Sequence, residues 1–478
     1  MTATSPAAPS VETVDVVVIG TGPGGEDATG RLARAGLDVV AVEARLVGGE
    51  CPYYGCIPTK MMVRASDALA EARRAGTLAG RVDVTPDWAP VARRVRDDAT
   101  ADWDDTAAVE RLEKAGARVV RGRGRLVGPR EVVVDTADGE RRFRAARGVL
   151  LNPGTEPAVP PVEGLAGTPY WTNRDAVRAT EAPASLTVLG GGAIGCELAQ
   201  VFARFGTAVE VVEAGPRLLA LDEPEASQLL AGRFAAEGIG VRTDAKVTGV
   251  SHDGSGFTLT LGDGTQLVSE RLLVAAGRRT DLRGLGVAAA GIDDTGRTIA
   301  VDDRLRAADG VWVIGDVTGK GAFTHVSMYQ ARIAVADILG TVEGVGSADG
   351  SEDGERADYR AVPHVTFTDP EIGGVGLTES AARGAGLTVR TGSTDLAASS
   401  RGFVHGPGNA GLVKLVEDAD AGVLVGATVA GPAGGEILAV LTLAVQARVP
   451  VAELRHMIYA YPTFHRAIES ALADLDEG

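Results

Sequence analysis

Residues 14–44 read VDVVVIGTGPGGEDATGRLARAGLDVVAVEA. A β-branched run from Val14 to Ile19 meets Gly20, Gly22 and Gly25. A stretch of helical character follows, then a second strand-like run from Asp38 to Val42 that ends on Glu43. Each part of this pattern has a physical role. The first glycine permits a tight turn, the second lets backbone approach a pyrophosphate, and the third lets helix pack on strand. The unpaired N–H groups of the helix start then face the phosphates. An acid at the tip of the second strand suits a ribose.

The pattern returns at 185–214, SLTVLGGGAIGCELAQVFARFGTAVEVVEA, with Gly190, Gly192, Gly195 and Glu213. In both copies the acid stands 23 residues after the first glycine (20 to 43, and 190 to 213). One such motif is weak evidence. Two in full β-α-β context predict an α/β chain with two Rossmann-like dinucleotide-binding domains. Two dinucleotides suggest a flavin and a nicotinamide, one taking hydride from the other. Glu213 would repel a 2′-phosphate, which favours NAD(H) over NADP(H). Arg217, four residues on, leaves NADP(H) open.

Between the cradles lies GGECPYYGCIPTKMM, residues 48–62. It holds two of the chain's three cysteines, Cys51 and Cys56. On an ideal helix, side chains five apart diverge by about 140°, whereas a disulfide needs Cβ atoms about 4 Å apart. The segment must bend, and Gly48, Gly49, Pro52 and Gly55 allow it. A redox-active disulfide beside the first dinucleotide is favoured over two inert buried thiols or half a zinc site, for which the sequence offers no second ligand pair. No metal site is expected. Cys196 reads as a small packing residue.

Bulk properties set limits. The net charge of −17, from 64 acids against 47 bases, argues against nucleic acid or an anionic membrane as partner. MTATSPAAPS has neither the basic region nor the apolar core of a signal peptide, and the apolar run 437–445 is too short to span a bilayer. A cytoplasmic location is expected.

Taken together, these motifs resemble the pyridine nucleotide–disulfide oxidoreductases with a C-x-x-x-x-C centre, whose members include dihydrolipoamide dehydrogenase and glutathione and mercuric reductases. The likeness extends through LLNPGT (150–155), LVAAGRRTDL (273–282), VWVIGDVTG (311–319), VPHVTFTDPEIGGVGLTE (362–379) and YAYPTFHRAIE (459–469). It implies FAD on the first cradle, with Gly49 and Gly154 in its site, Glu43 on the adenosine ribose, and Gly315–Asp316 over the ribitol and phosphates. Gly277 would belong to the nicotinamide-binding part. Cys56 would face the flavin and Cys51 would attack the substrate. Lys60 would sit near the flavin N5, paired with Glu197. The implied organisation is an FAD-binding domain in two parts (10–155 and 280–345), an NAD(P)-binding domain (156–279), and an α+β dimerisation domain (346–478) that makes a homodimer. The acidic, glycine-rich stretch 340–354 reads as a surface linker.

One motif departs from the family. Disulfide reductases of this kind carry His-Pro-Thr with a glutamate four residues after the proline, an acid–base pair for the interchange thiol. Here Tyr461 fills the histidine slot and Arg466 the glutamate slot. A phenol titrates near 10 in water and is a poor base at pH 7. His465 and Glu469, four apart, are read as facing one side of a helix, either as a surface contact or as a relocated pair. The expected activity is electron transfer from NAD(P)H through FAD and the cysteine pair to a small-molecule disulfide, or the reverse. One alternative is a quinone or metal-ion reductase that needs no acid for a thiol leaving group; another is a low-turnover redox partner or sensor.

Overall fold

The computed structural model describes residues 10–340 and 355–475. The expected linker, apart from Gly340, lies outside them. The chain forms two compact units: Met1–Ile57 with Ala99–Glu156 and Arg278–Asp358, and Pro58–Asp98 with Pro157–Gly277 and Tyr359–Gly478.

The first unit is built on an eight-stranded sheet. Strand β1 (Val11–Ile19) lies between β2 (Val39–Glu43) and the long strand Gly139–Leu151, parallel to both. Alternation along β1 explains why both faces are covered. Val17 and Ile19 enter a core with Leu282, Leu285 and Val287. Val16 and Val18 enter another with Ala28 and Leu32 of helix α1 (Pro23–Arg34) and Ala331 and Ile333 of the helix Thr324–Leu339. Such near-continuous apolar runs mark strands buried on both sides.

The second unit contains a four-stranded parallel sheet, ordered Gly240–Arg242, Ala208–Val212, Ser185–Leu189, Arg271–Val274. A three-stranded antiparallel sheet follows, Val247–His252, Phe257–Leu261 and Gln266–Ser269. A five-stranded antiparallel sheet from Pro363 to Gly431 carries the helices Gly434–Gln446 and Ala467–Asp474 on its core, through Ile437, Leu441, Ile468 and Leu472 against Val413, Leu415 and Val429.

Candidate active site

In the first cradle, Gly20 donates its N–H to the Val42 carbonyl at 2.8 Å. It has φ +89°, and a Cβ there would lie 2.1 Å from the Asn152 carbonyl oxygen. A Cβ on Gly25 would lie 2.0 Å from Gly20 O. These clashes explain why only glycine fits. Gly22 is different: it caps α1 with no side-chain cap bond, and its nearest neighbour to a built Cβ is Asn152 Oδ1 at 3.5 Å. Gly22 thus leaves the start of α1 approachable by an anion, although Pro23 carries no N–H and Gly25 N–H is already taken by Asn152 Oδ1. Glu43 closes the mouth, accepting from Thr21 N–H (2.9 Å), Thr21 Oγ1–H (2.7 Å) and Arg45 N–H (2.7 Å).

The second cradle repeats this at equivalent positions. Gly190 N–H donates to Val212 O at 2.9 Å, and a Cβ on Gly195 would lie 2.1 Å from Gly190 O. Gly192 starts the helix Ala193–Arg204 with nothing within 4 Å of its built Cβ. Glu213 accepts the N–H groups of Gly191 and Gly215, both at 2.6 Å. The bare helix starts and glycine-lined approaches fit a dinucleotide in each cradle. Gly277 lies at φ +116° with open space where a Cβ would be. Arg217, left open by the sequence as a phosphate ligand, is held on backbone carbonyls, those of Ala220 at 2.9 Å and Asp222 at 3.2 Å. Cys196 is fully buried against Gly191 O (3.3 Å), and burial pushes its thiol well up.

One residue that the glycine pattern did not reveal organises the first cradle. Asn152 Oδ1 accepts Gly25 N–H at 2.7 Å, and its Nδ2 donates to Ile314 O at 3.1 Å. The second cradle has Ala275 at the equivalent place. Close by, Gly154 adopts φ +65°. Thr155 Oγ1 donates to Asp316 Oδ2 (2.8 Å), and Gly315 N–H donates to Gln330 Oε1 (2.6 Å).

The cysteine segment starts against this cradle: a Cβ on Gly49 would lie 2.7 Å from Gly22 Cα. Cys51 lies in the one-turn helix α2 (Glu50–Tyr53), Tyr54 and Gly55 break the chain's course, and Cys56 opens helix α3 (Cys56–Arg74). The bend brings the two half-buried thiols near disulfide distance. Cys56 Sγ lies 3.4 Å from Thr324 Oγ1. Its place at a helix start favours the thiolate. Four residues along α3, in the second unit, Lys60 forms a bidentate pair with Glu197 at 2.7 and 2.9 Å. Glu197 is 4% exposed and also accepts Phe367 N–H at 2.8 Å, while the ammonium lies 4.7 Å from the Phe367 ring centre.

The C-terminal motif corrects one expectation. The last helix begins at Ala467, so His465 lies in the preceding turn and its spacing to Glu469 is not a helical one. Glu469 pairs instead with Arg466 at 2.9 Å, and the Arg466 guanidinium lies 5.5 Å from the centre of the Tyr461 ring. His465 Nε2 is 3.4 Å from Thr463 Oγ1. Tyr461 itself is 69% exposed. Among the described residues no group of three or more metal-binding side chains occurs, and no helix is long and apolar enough to cross a membrane.

Comparison with known proteins accords with this geometry. Residues 14–331 match the family model for pyridine nucleotide-disulphide oxidoreductases, and residues 362–472 match the dimerisation domain of that family, which points to a homodimer. The chain is 35% identical to a dihydrolipoyl dehydrogenase of Thermus scotoductus, over 96% of this chain and 97% of that protein. It is 32% identical to a mercuric reductase of Streptomyces lividans, over 96% and 95%. The HOCl-induced flavoprotein disulfide reductase RclA of Escherichia coli, solved as a Cu(II) complex, superposes with a TM-score of 0.82 at 26% identity, covering 97% of this chain and 99% of that one. Two dinucleotide cradles, a bent cysteine pair and these matches place the chain in the pyridine nucleotide–disulfide oxidoreductase family, as a flavoprotein using FAD and a pyridine nucleotide.

Proposed function

We propose that the chain is an NADH-linked disulfide reductase in which Cys51 is the interchange thiol and Cys56 the thiol that partners the flavin. The observation that carries this reading is the near-disulfide placement of Cys51 and Cys56 in a segment packed, through Gly49, on the first cradle. Bound FAD would supply the two-electron relay between nicotinamide and sulfur. Cys51 as thiolate attacks one sulfur of a small-molecule disulfide, whose S–S bond breaks to leave a mixed disulfide and one free thiol. Cys56 then attacks Cys51 sulfur, closing the Cys51–Cys56 bond and releasing the second thiol. The helix start at Cys56 favours its thiolate. Gly20, Gly22, Gly25 and Glu43 hold the FAD, with Gly154, Gly315 and Asp316 beside it. Gly190, Gly192, Gly195, Glu213 and Gly277 hold the nicotinamide dinucleotide. NADH is preferred because Glu213 stands at the ribose position and Arg217 is occupied by carbonyls.

An anaerobic titration of the holoenzyme with NADH tests this. The wild type should take up two electrons with a long-wavelength absorbance band of a thiolate beside oxidised flavin. Cys51→Ser should keep flavin reduction by NADH and lose disulfide turnover by at least about a thousandfold, the order expected for removing a nucleophile. Undiminished disulfide turnover in C51S would defeat the reading.

The Tyr461–Arg466 stack favours a second reading. With no histidine–carboxylate pair in the motif, a quinone or metal ion, which has no thiolate leaving group to protonate, suits the site better than lipoamide. Parallel turnover with lipoamide, a low-molecular-weight disulfide and a quinone separates the two.

A further inference from the structure

The cysteine segment carries one contact that neither cradle requires. Helix α2 is a single turn, and its last carbonyls are the unpaired groups every helix end leaves. Tyr54 N–H and Gly55 N–H both go to Glu50 O, at 2.8 and 2.7 Å. The carbonyl of Tyr53, between the two cysteines, instead accepts the indole Nε1–H of Trp103 at 3.1 Å. Three successive non-glycine residues in the left-handed region deliver that indole: Ala101, Asp102 and Trp103, at φ 47°, 56° and 57°. L-residues visit this region singly and at a cost, so the run persists only because its surroundings hold it. Two residues on, Asp105 Oδ2 accepts Val47 N–H at 2.6 Å and an Arg121 guanidinium N–H at 2.5 Å. Residues 103–105 thus grip the redox segment before Cys51 and again between Cys51 and Cys56. The Tyr53 ring is buried beneath Gly48, where a Cβ would come within 3.4 Å of Cε2.

We propose that Trp103 is a positioning residue that sets the reduction potential of the Cys51–Cys56 couple, an assignment that rests on the redox-disulfide reading above. A disulfide holds its two Cβ atoms about 3.5–4.5 Å apart by covalent bonding; a dithiol does not. An anchor on the end of α2 therefore restricts the dithiol form more than the disulfide form. It raises the effective concentration of each thiol at the other and favours the closed bond. Loss of the indole donor frees the dithiol and makes the disulfide easier to reduce.

The test equilibrates wild-type and Trp103→Phe holoenzyme anaerobically in dithiothreitol buffers of graded dithiol-to-disulfide ratio. The Cys51–Cys56 S–S bond opens to two thiols as dithiothreitol gives up two S–H hydrogens and closes its own disulfide. Samples are acid-quenched, alkylated under denaturing conditions and weighed, Cys196 adding a constant label. The variant should be half-reduced at a dithiol-to-disulfide ratio fivefold to tenfold lower than the wild type, about 20–30 mV less negative at 29.6 mV per tenfold. Purely structural weakening, equal in both redox forms, would not move this ratio. A midpoint within twofold of wild type overturns the proposal. Trp103→Leu, which also lacks the donor, is read the same way if W103F does not fold. If the wild-type pair never closes, the redox reading falls and the proposal with it; if it closes and the variant matches it, only the role of Trp103 falls.

Discussion

Tyr461 and Arg217 show how a single side chain's partners decide what it does. A histidine placed at 461 would stand beside the Arg466 guanidinium, which now lies 5.5 Å from the phenol ring centre. A neighbouring cation disfavours imidazolium and weakens the histidine as a base. Tyr461→His alone should leave lipoamide turnover within about twofold of wild type. Tyr461→His with Arg466→Glu should raise it by at least about tenfold, a part of the roughly 10²–10⁴-fold that a well-positioned general acid–base group contributes. Steady-state kinetics decide the matter, and a tenfold rise from the single change would contradict it. Arg217 spends its N–H groups on the Ala220 and Asp222 carbonyls. Arg217→Ala should therefore change the ratio of kcat/KM for NADH over NADPH by less than about threefold, under 1 kcal/mol of differential binding. A selective tenfold loss with NADPH would show the guanidinium on a phosphate.

At the scale of elements, α3 and the helix Ala193–Arg204 are joined by two ion pairs spaced alike. Lys60 meets Glu197, and seven residues on along each helix Asp67 meets Arg204 at 2.7 Å. The loop after strand Pro363–Thr366 ties both pairs together. Phe367 N–H goes to Glu197, while Asp369 bonds Arg204 (2.5 Å) and Arg74. Burial works to raise Asp369, but Arg204 and Arg74 outweigh it and hold the carboxyl below its usual range. For Asp67 burial wins over Arg204, and the carboxyl is pushed up to about 6. The folded protein thus holds this proton more tightly than the unfolded chain does. The stability it contributes is present below about pH 4 and is lost as pH rises toward 6. Asp67→Asn, neutral throughout, should gain on wild type between pH 4 and pH 6.5 by at most about 1 kcal/mol, since the side chain is partly solvated. Urea melts at the two pH values measure it; a pH-independent difference would show that Asp67 does not titrate in this window.

For the molecule as a whole, large apolar side chains stand uncovered in the stretch that matches the dimerisation model: Ile458 is 96% exposed, Phe403 83% and Leu443 65%. Apolar side chains left in water cost free energy in proportion to their exposed area, and a second copy would cover these. Ile458→Asp should shift the protein from dimer toward monomer at micromolar concentration in sedimentation velocity, with FAD content retained because the first cradle lies in the other unit. Thermal midpoints of the wild type should rise with protein concentration, as mass action requires of an oligomer. An I458D sample that sediments as wild type would remove this residue from the interface.

The sequence alone determined whatever depends on neighbours along the chain. Gly20 and Gly190 were legible because tight turns and β-α-β packing are set within about 25 residues. Cys51 and Cys56 were legible because a pair five apart needs a glycine-broken segment to meet. Lys60 and Glu197 came through family resemblance, since nothing in local spacing joins residues 137 apart. Only the tertiary structure decided the rest: Asn152 as the hub of the first cradle, Trp103 on the Tyr53 carbonyl, Arg217 on its carbonyls, and Glu469 with Arg466 rather than His465. In each case the partner is chosen by which groups lose their water together, and an amide, indole or guanidinium carries no mark of that choice until the chain has closed around it.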